Sequence, residues 1–111
     1  PTRRSSDLDA TRVAGPQEIV LEYLLAKKFG VKVCPHAGGV GLCEAVSQLA
    51  MFDYVSVSGE MEDRVVEYVD NQHEYFVHPT VIKNGRYVAP LTPGNGTEMK
   101  IDECMKYLHK D

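Results

Sequence analysis

The sequence has no surplus of positive charge and no long apolar run. Its 12 Lys and Arg residues are outnumbered by 16 Asp and Glu residues, which gives a formal net charge of −4. Nucleic-acid backbones require a concentrated basic surface, and a membrane-spanning helix requires roughly 20 consecutive apolar residues. We therefore expect neither nucleic acid nor a membrane as a partner, and the 43% hydrophobic content is typical of a soluble globular protein.

Cysteine is also scarce. Cys34, Cys43 and Cys104 form an odd set, at spacings that match no disulfide framework. This pattern predicts a reducing, intracellular location, in the cytoplasm or the mitochondrion. Cys34, His36 and Cys43 could form part of a metal site, but no second Cys or His pair supplies the remaining ligands, so we expect no metal ligand in this chain.

Residues 1–8 differ from the rest of the chain because they have no hydrophobic periodicity. Their sequence resembles the translation of a sequencing-library adapter. We interpret them as a non-native scar and leave them out of the fold prediction; a disordered basic start is the alternative. On the first interpretation, residues 9–111 are expected to be a C-terminal fragment whose natural N-terminal part is missing.

The remaining sequence alternates between helical and extended patterns. Residues 17–29, flanked by a Pro and a Gly, and residues 42–52 have the apolar periodicity of helices. Residues 31–34 and 54–58 are rich in β-branched residues and predict extended segments. This alternation is typical of βαβ units with a parallel sheet, so the predicted fold class is α/β.

The C-terminal half is less regular. Residues 64–70 could be strand or helix by composition. An Asn-Gly pair between residues 80–83 and 86–88 predicts a hairpin with a type I′ turn, and residues 98–109 form a polar tail with weak helical character. So few strands and helices would leave hydrophobic edges exposed, which predicts that the fold needs a further segment.

Three polar side chains could carry chemistry. His36 follows a strand and precedes glycines, where catalytic groups of parallel α/β folds stand, and imidazole exchanges protons near neutral pH; the alternative is a histidine satisfied by loop carbonyls. Asp9, one βα unit earlier, could hold the His36 ring in one tautomer or be a solvated loop residue. Glu67, between apolar neighbours, either faces outward or donates, when protonated, to a developing oxyanion.

The sequence resembles the L-fuconate dehydratases of the enolase superfamily (mandelate racemase-like), including the mitochondrial members of animals. The resemblance covers nearly everything after residue 8. It is carried by residues 34–44 (CPHAGGVGLCE), 9–15 (DATRVAG), 26–31 (AKKFGV), 51–55 (MFDYV), 61–64 (MEDR), 67–70 (EYVD) and 85–87 (GRY).

The resemblance implies a fold and a reaction. Members of the family are (β/α)8 barrels that use Mg²⁺ to convert L-fuconate to 2-keto-3-deoxy-L-fuconate and water. Residues 9–111 would supply about strands 6 or 7 to 8, with a C-terminal hairpin and tail. His36 matches the histidine acid/base, Asp9 its aspartate partner, and Glu67 a glutamate that contacts the substrate carboxylate, which makes residues 64–70 a barrel strand.

The resemblance also implies what this chain lacks. The family's catalytic lysine and three Mg²⁺ carboxylates lie on earlier strands, and none is present here. Since a closed barrel takes about 250 residues, we predict that the chain alone is inactive and poorly folded. The alternatives are a dehydratase for another hexonate and a non-catalytic half-barrel interaction module. The expected partner is a small acid sugar, and a homo-oligomer is a further possibility.

Overall fold

A computed structural model describes residues 6–109, and only the backbone of residues 6 and 7. The proposed scar therefore lies mostly outside the described residues. The elements are β1 (Ser6–Leu8), α1 (Pro16–Phe29), β2 (Val33–Pro35), α2 (Leu42–Phe52), a short π-helix (Asp53–Ser58), a 3₁₀ turn (His73–Tyr75), β3 (Ile82–Lys83), β4 (Arg86–Tyr87) and α3 (Ile101–Met105).

The two helices begin and end as the sequence predicts. Pro16 is the first residue of α1, where its missing N–H costs nothing. Gly30 ends α1 in the left-handed conformation, with φ 65°, and its N–H donates to the carbonyls of the last turn. Gly41, with φ 76°, precedes α2. The predicted boundaries of both helices are confirmed within one residue.

The sheet that carries the site is a parallel pair. β1 and β2 are in register, with Leu8 opposite Pro35, and α1 forms the crossover between them. Residues 6–8, interpreted from the sequence as part of a non-native scar, form a strand in the structure. This βαβ unit directs the carboxyl ends of both strands to the same edge, so the residues that follow them are neighbours.

Two small cores hold these elements together. The first consists of the buried side chains Ile19, Tyr23 and Val33. The second consists of Ala37, Cys43 and Val46, packed by partly buried residues that include Val66 and Tyr87. The second core lies directly behind the loop after β2, so it supports the residues at the strand ends.

Two of the predicted extended segments were wrong. Residues 54–58 lie in the π-helix, which continues α2 without a break. Residues 64–70 form no strand in the described part of the chain; one bond, from the N–H of Glu67 to the carbonyl of Pro35 at 3.1 Å, joins them to β2. A single bond is not a ladder, and the segment is held by side chains instead.

The C-terminal part follows the predicted order. β3 and β4 form the predicted antiparallel hairpin, and Asn84 and Gly85 have the positive φ values, 53° and 70°, of a type I′ turn. α3 lies within the polar tail that was expected to be weakly helical. Among residues 6–109, no helix combines the length and the apolar character needed to cross a bilayer.

Candidate active site at the ends of the parallel strands

Two of the three candidate residues directly follow the paired strands. Asp9 comes after β1, and His36 comes after β2. The backbone N–H of His36 donates to the carbonyl of Leu8 at 2.7 Å, so the pairing continues one step past β2. The strand register therefore brings the carboxylate and the imidazole to one edge of the sheet.

The His36 ring lies between two carboxylates. Its Nδ1 is 2.5 Å from Oε2 of Glu67, and its Nε2 is 3.8 Å from Oδ2 of Asp9. The same Glu67 oxygen accepts the backbone N–H of Ala37 at 2.8 Å. The structure thus brings together all three residues named from the sequence, and the closer partner of the ring is Glu67.

Asp9 makes its hydrogen bonds to its own loop. Its Oδ1 accepts the backbone N–H of Thr11 at 3.0 Å and the Thr11 hydroxyl at 2.6 Å, and its Oδ2 accepts Nε of Arg12 at 2.9 Å. The Thr11 hydroxyl and N–H are the main reasons that the pKa of Asp9 lies below its ordinary value. The expected hydrogen bond from His36 to Asp9 is not formed, because Nε2 of His36 and Oδ2 of Asp9 are 3.8 Å apart. Thr11 and Arg12 supply the donors to this carboxylate instead.

The three side chains line one open cavity of about 530 Å³. The His36 side chain is 41% exposed, so its ring is accessible from the cavity. Gly38 makes room for that ring, because a Cβ at residue 38 would lie 2.7 Å from Cε1 of His36. The cavity is lined by Asp9, Arg12, Cys34, His36, Val66 and Glu67.

The residues that the structure describes show no cluster of side chains arranged for magnesium. Mg²⁺ takes near-octahedral oxygen ligation, yet residues 6–109 contain no group of three or more His, Cys, Asp or Glu side chains arranged for a metal ion. The alternative of a metal at Cys34, His36 and Cys43 has no support for the same reason. The Asp9 and Glu67 carboxylates instead accept bonds from Thr11 and Ala37.

A second histidine–carboxylate pair lies near the site, and it was not predicted from the sequence. Glu44, at 3% exposure, is buried in the first turn of α2. Its Oε1 lies 2.7 Å from Nδ1 of His73 and accepts the backbone N–H of Thr80 at 3.0 Å. Nε2 of His73 lies 2.7 Å from the carbonyl of Val69. No local pattern in the sequence marks this pair, because its members lie 29 residues apart on different elements.

Opposing influences set the pKa values of this pair. Burial acts to raise the pKa of Glu44, but the Thr80 N–H and His73 outweigh it, so the pKa falls below its ordinary value. Burial acts to lower the pKa of His73, but the bonds to Glu44 and Val69 outweigh it, so the pKa rises. Both shifts favour the charged pair.

A family model described as "Enolase C-terminal domain-like" matches residues 6–103. The chain is 48% identical over 104 residues to human mitochondrial enolase superfamily member 1, an alignment that covers 94% of this chain and 24% of the relative. It is 47% identical over 100 residues to L-galactonate dehydratase of Hypocrea jecorina, covering 90% of this chain and 22% of that protein. The chain therefore spans about a quarter of the length of these relatives.

The fold comparison agrees with the sequence comparison. The crystal structure of human mitochondrial enolase superfamily member 1 matches with a TM-score of 0.80 at 49% identity, over 86% of this chain and 22% of that one. The α/β fold class and the superfamily resemblance predicted from the sequence are confirmed.

Proposed function

Because the chain belongs to the enolase C-terminal domain-like family, we propose that it is the C-terminal section of a (β/α)8 barrel in an acid-sugar dehydratase. The observation that carries the proposal is the His36 imidazole between the carboxylates of Glu67 and Asp9, at the carboxyl ends of neighbouring parallel strands. In barrel enzymes this face carries the active site.

We propose different tasks for the two ring nitrogens of His36. Nδ1 is engaged by Glu67 at 2.5 Å, which orients the ring. Nε2 has no acceptor that close within the described chain, since Asp9 is 3.8 Å away. This supports the proposal that Nε2 is the atom that acts on the substrate. In the proposed reaction, Nε2 gives its proton to the departing 3-hydroxyl of the sugar acid, which leaves as water.

The other steps fall to residues outside this chain. The base that removes the proton next to the carboxylate and the ligands of the Mg²⁺ used in this superfamily are expected in the part of the protein that precedes these residues. The product is an enol that tautomerises to a 2-keto-3-deoxy acid. Glu67 contacts the substrate carboxylate in this scheme, while its Oε2 keeps its bond to Ala37.

We propose L-fuconate as the substrate, with L-galactonate as the second candidate. A relative named for L-galactonate is 47% identical, as close as the mitochondrial relatives at 45–48%. The two acids differ only by a hydroxyl at C6, so they present the same C2 and C3 groups to His36. The compartment, cytoplasmic or mitochondrial, and the oligomeric state stay predictions.

The test uses the full-length protein that contains this segment, assayed with Mg²⁺ against a panel of acid sugars for release of a 2-keto-3-deoxy acid. His36→Asn is expected to lower kcat about 10²–10⁴-fold, the usual contribution of a general acid. His78→Asn is the matched control, because His78 is exposed.

The outcomes separate the hypotheses. Turnover of another hexonate but not of L-fuconate would contradict the proposed substrate and support the proposed reaction. Turnover that His36→Asn leaves unchanged would contradict the assigned role of His36. A folded wild-type protein that dehydrates no acid sugar would favour the non-catalytic interaction module.

A further inference from the structure

The backbone that carries Glu67 lacks the usual support of a strand. Residues 64–70 make one backbone bond to β2, from Glu67 to Pro35. Yet the Glu67 carboxylate meets two groups at once, Nδ1 of His36 at 2.5 Å and the N–H of Ala37 at 2.8 Å. Such a position requires that the backbone of residues 67–69 be fixed by other contacts.

Side chains from three other parts of the fold, β4, the 3₁₀ turn and α2, supply these contacts. The Tyr87 hydroxyl, on β4, donates to the carbonyl of Glu67. Burial, followed by the nearby Cys43 thiol, raises the pKa of Tyr87, so its hydroxyl keeps the proton that it donates. Nε2 of His73 lies 2.7 Å from the carbonyl of Val69, and the Cys43 thiol lies 3.7 Å from the same oxygen.

His73 is itself held in one orientation. Glu44, from α2, faces its Nδ1 at 2.7 Å, and the Tyr68 ring stacks on it with centroids 5.5 Å apart. Both ring nitrogens face an acceptor, so the doubly protonated ring can donate to both. Asp70 is the other charged group near it. The second oxygen of Glu44 is buried without a hydrogen-bond partner among the described residues. The Glu44 and His73 side chains are both largely enclosed by protein.

We propose that His73 and Tyr87, which lie outside the set of residues lining the cavity, are positioning residues that hold the Glu67 carboxylate against His36 and Ala37. His73 acts on the carbonyl of Val69, and Tyr87 acts on the carbonyl of Glu67. Together these two side-chain bonds take the place of the backbone hydrogen bonds to a neighbouring strand that residues 64–70 lack. This inference rests on the proposed role of Glu67, but its main test does not require turnover.

The N–H of Ala37 reports the position of Glu67, because it donates to the same oxygen that contacts His36. The full-length protein is labelled with ¹³C at the His carbonyl and ¹⁵N at the Ala amide. His36-Ala37 is the only His-Ala pair in this sequence, and His36→Asn identifies its signal in the longer protein. The variants are His73→Ala and Tyr87→Phe, and the matched controls are His78→Ala and Tyr54→Phe, which alter exposed side chains.

In both variants the Ala37 signal is expected to shift and its amide hydrogen to exchange faster, while the controls leave it unchanged. Activity on the acid sugar is expected to fall ~10–100-fold, by analogy with the loss of a group that orients a metal ligand. In a Glu67→Gln background the same substitutions should cost much less, because their effect acts through Glu67. His73→Gln, which keeps one donor, should restore part of the loss.

An unchanged Ala37 amide in folded variants overturns the proposal, whatever the kinetics. A fall in thermal stability with an unchanged Ala37 amide assigns these residues a structural role alone, which also overturns it. If His73→Ala does not fold, the proposal is tested with Tyr87→Phe, which removes only one oxygen atom. A shifted Ala37 amide in a protein that dehydrates no acid sugar supports the positioning role and refutes the proposed function.

Discussion

The position of the His36 ring is set by contacts with neighbouring residues. Glu67 contacts one nitrogen, and Gly38 leaves the space that the ring occupies. His36 was predicted as a candidate residue because it follows a strand. Glu67 was not predicted as the partner of its ring. The distance from the ring to Asp9 depends on how the Asp9 loop folds, and Thr11 and Arg12 hold that carboxylate in place.

Gly38→Ala is expected to lower activity about 10–100-fold in the full-length protein, since a displacement of about 1 Å at a catalytic group can cost 10²-fold. The new Cβ would lie 2.7 Å from Cε1 of the His36 ring, so the ring must move. Steady-state kinetics measure the effect, and urea unfolding checks that stability changes little.

Gly39→Ala is the matched control for this prediction. A Cβ at residue 39 meets Cδ1 of Leu42 at 3.0 Å, and that flexible methyl can turn aside. Equal losses of activity in the two variants would show that the loop, and not the space for the ring, is the sensitive feature.

At the scale of elements, the segments with a distinct local signal were predictable. The Pro and Gly at the ends of α1 and the Asn-Gly turn between β3 and β4 each require a particular backbone conformation, and the structure has it. Residues 54–58 misled the prediction because five alternating residues are too few to exclude a helix. Leu49, Phe52 and Val57 pack against the same core, a spacing that continues α2.

Contacts between distant elements could not be predicted. Glu44 is polar and lies on a helix whose apolar positions suggested the buried face, yet it is enclosed with His73. Residues 64–70 could be strand or helix by composition, and the family resemblance favoured a strand. A strand requires a ladder of backbone bonds to a neighbouring strand, and this segment meets β2 through one bond. Pairings of this kind depend on tertiary structure, which local patterns do not encode.

The Glu44–His73 pair predicts a pH optimum of stability. The pKa of Glu44 is lowered from 4.5, so its contribution is complete above about pH 4.5 and is lost as the pH falls further. The pKa of His73 is raised from 6.5, so its contribution is complete below about pH 6.5 and is lost as the pH rises through the higher, folded-state value. The pair should therefore stabilise the fold most between these two values.

Urea midpoints of the full-length protein, measured from about pH 4 to about pH 8, test this prediction. The comparison is with a Glu44→Gln, His73→Gln double variant, which keeps the shape of the pair without its charges. The difference between the two proteins should be largest between the two ordinary pKa values. A difference that is constant with pH would show that the pair is not ionised as the geometry indicates.

At the scale of the whole molecule, the described chain leaves much apolar surface in solvent. Phe29 is 71% exposed, Val55 77% and Leu91 96%. Leu21, Leu24 and Leu25 of α1 are about half exposed. So many exposed large apolar side chains, three of them on one helix, indicate a covering partner. The proposed barrel would supply it, since the chain spans only about a quarter of the length of its relatives.

The 111-residue chain alone is therefore expected to bind a hydrophobic dye such as ANS strongly, to give a broad unfolding transition and to show no dehydratase activity. The full-length protein should bind little dye and unfold cooperatively. Fluorescence titration and circular dichroism compare the two at equal molar concentration. A sharp transition and weak dye binding for the short chain would show that it folds independently.

The backbone bond from His36 to Leu8, at 2.7 Å, ties the backbone of His36 to the residue that precedes Asp9. No side-chain replacement other than proline at residue 36 removes it, because both partners belong to the polypeptide itself. Substitutions in the cavity lining can thus accumulate while the backbone at residues 8 and 36 keeps one fixed spacing. A change of substrate would then require new side chains on an inherited backbone.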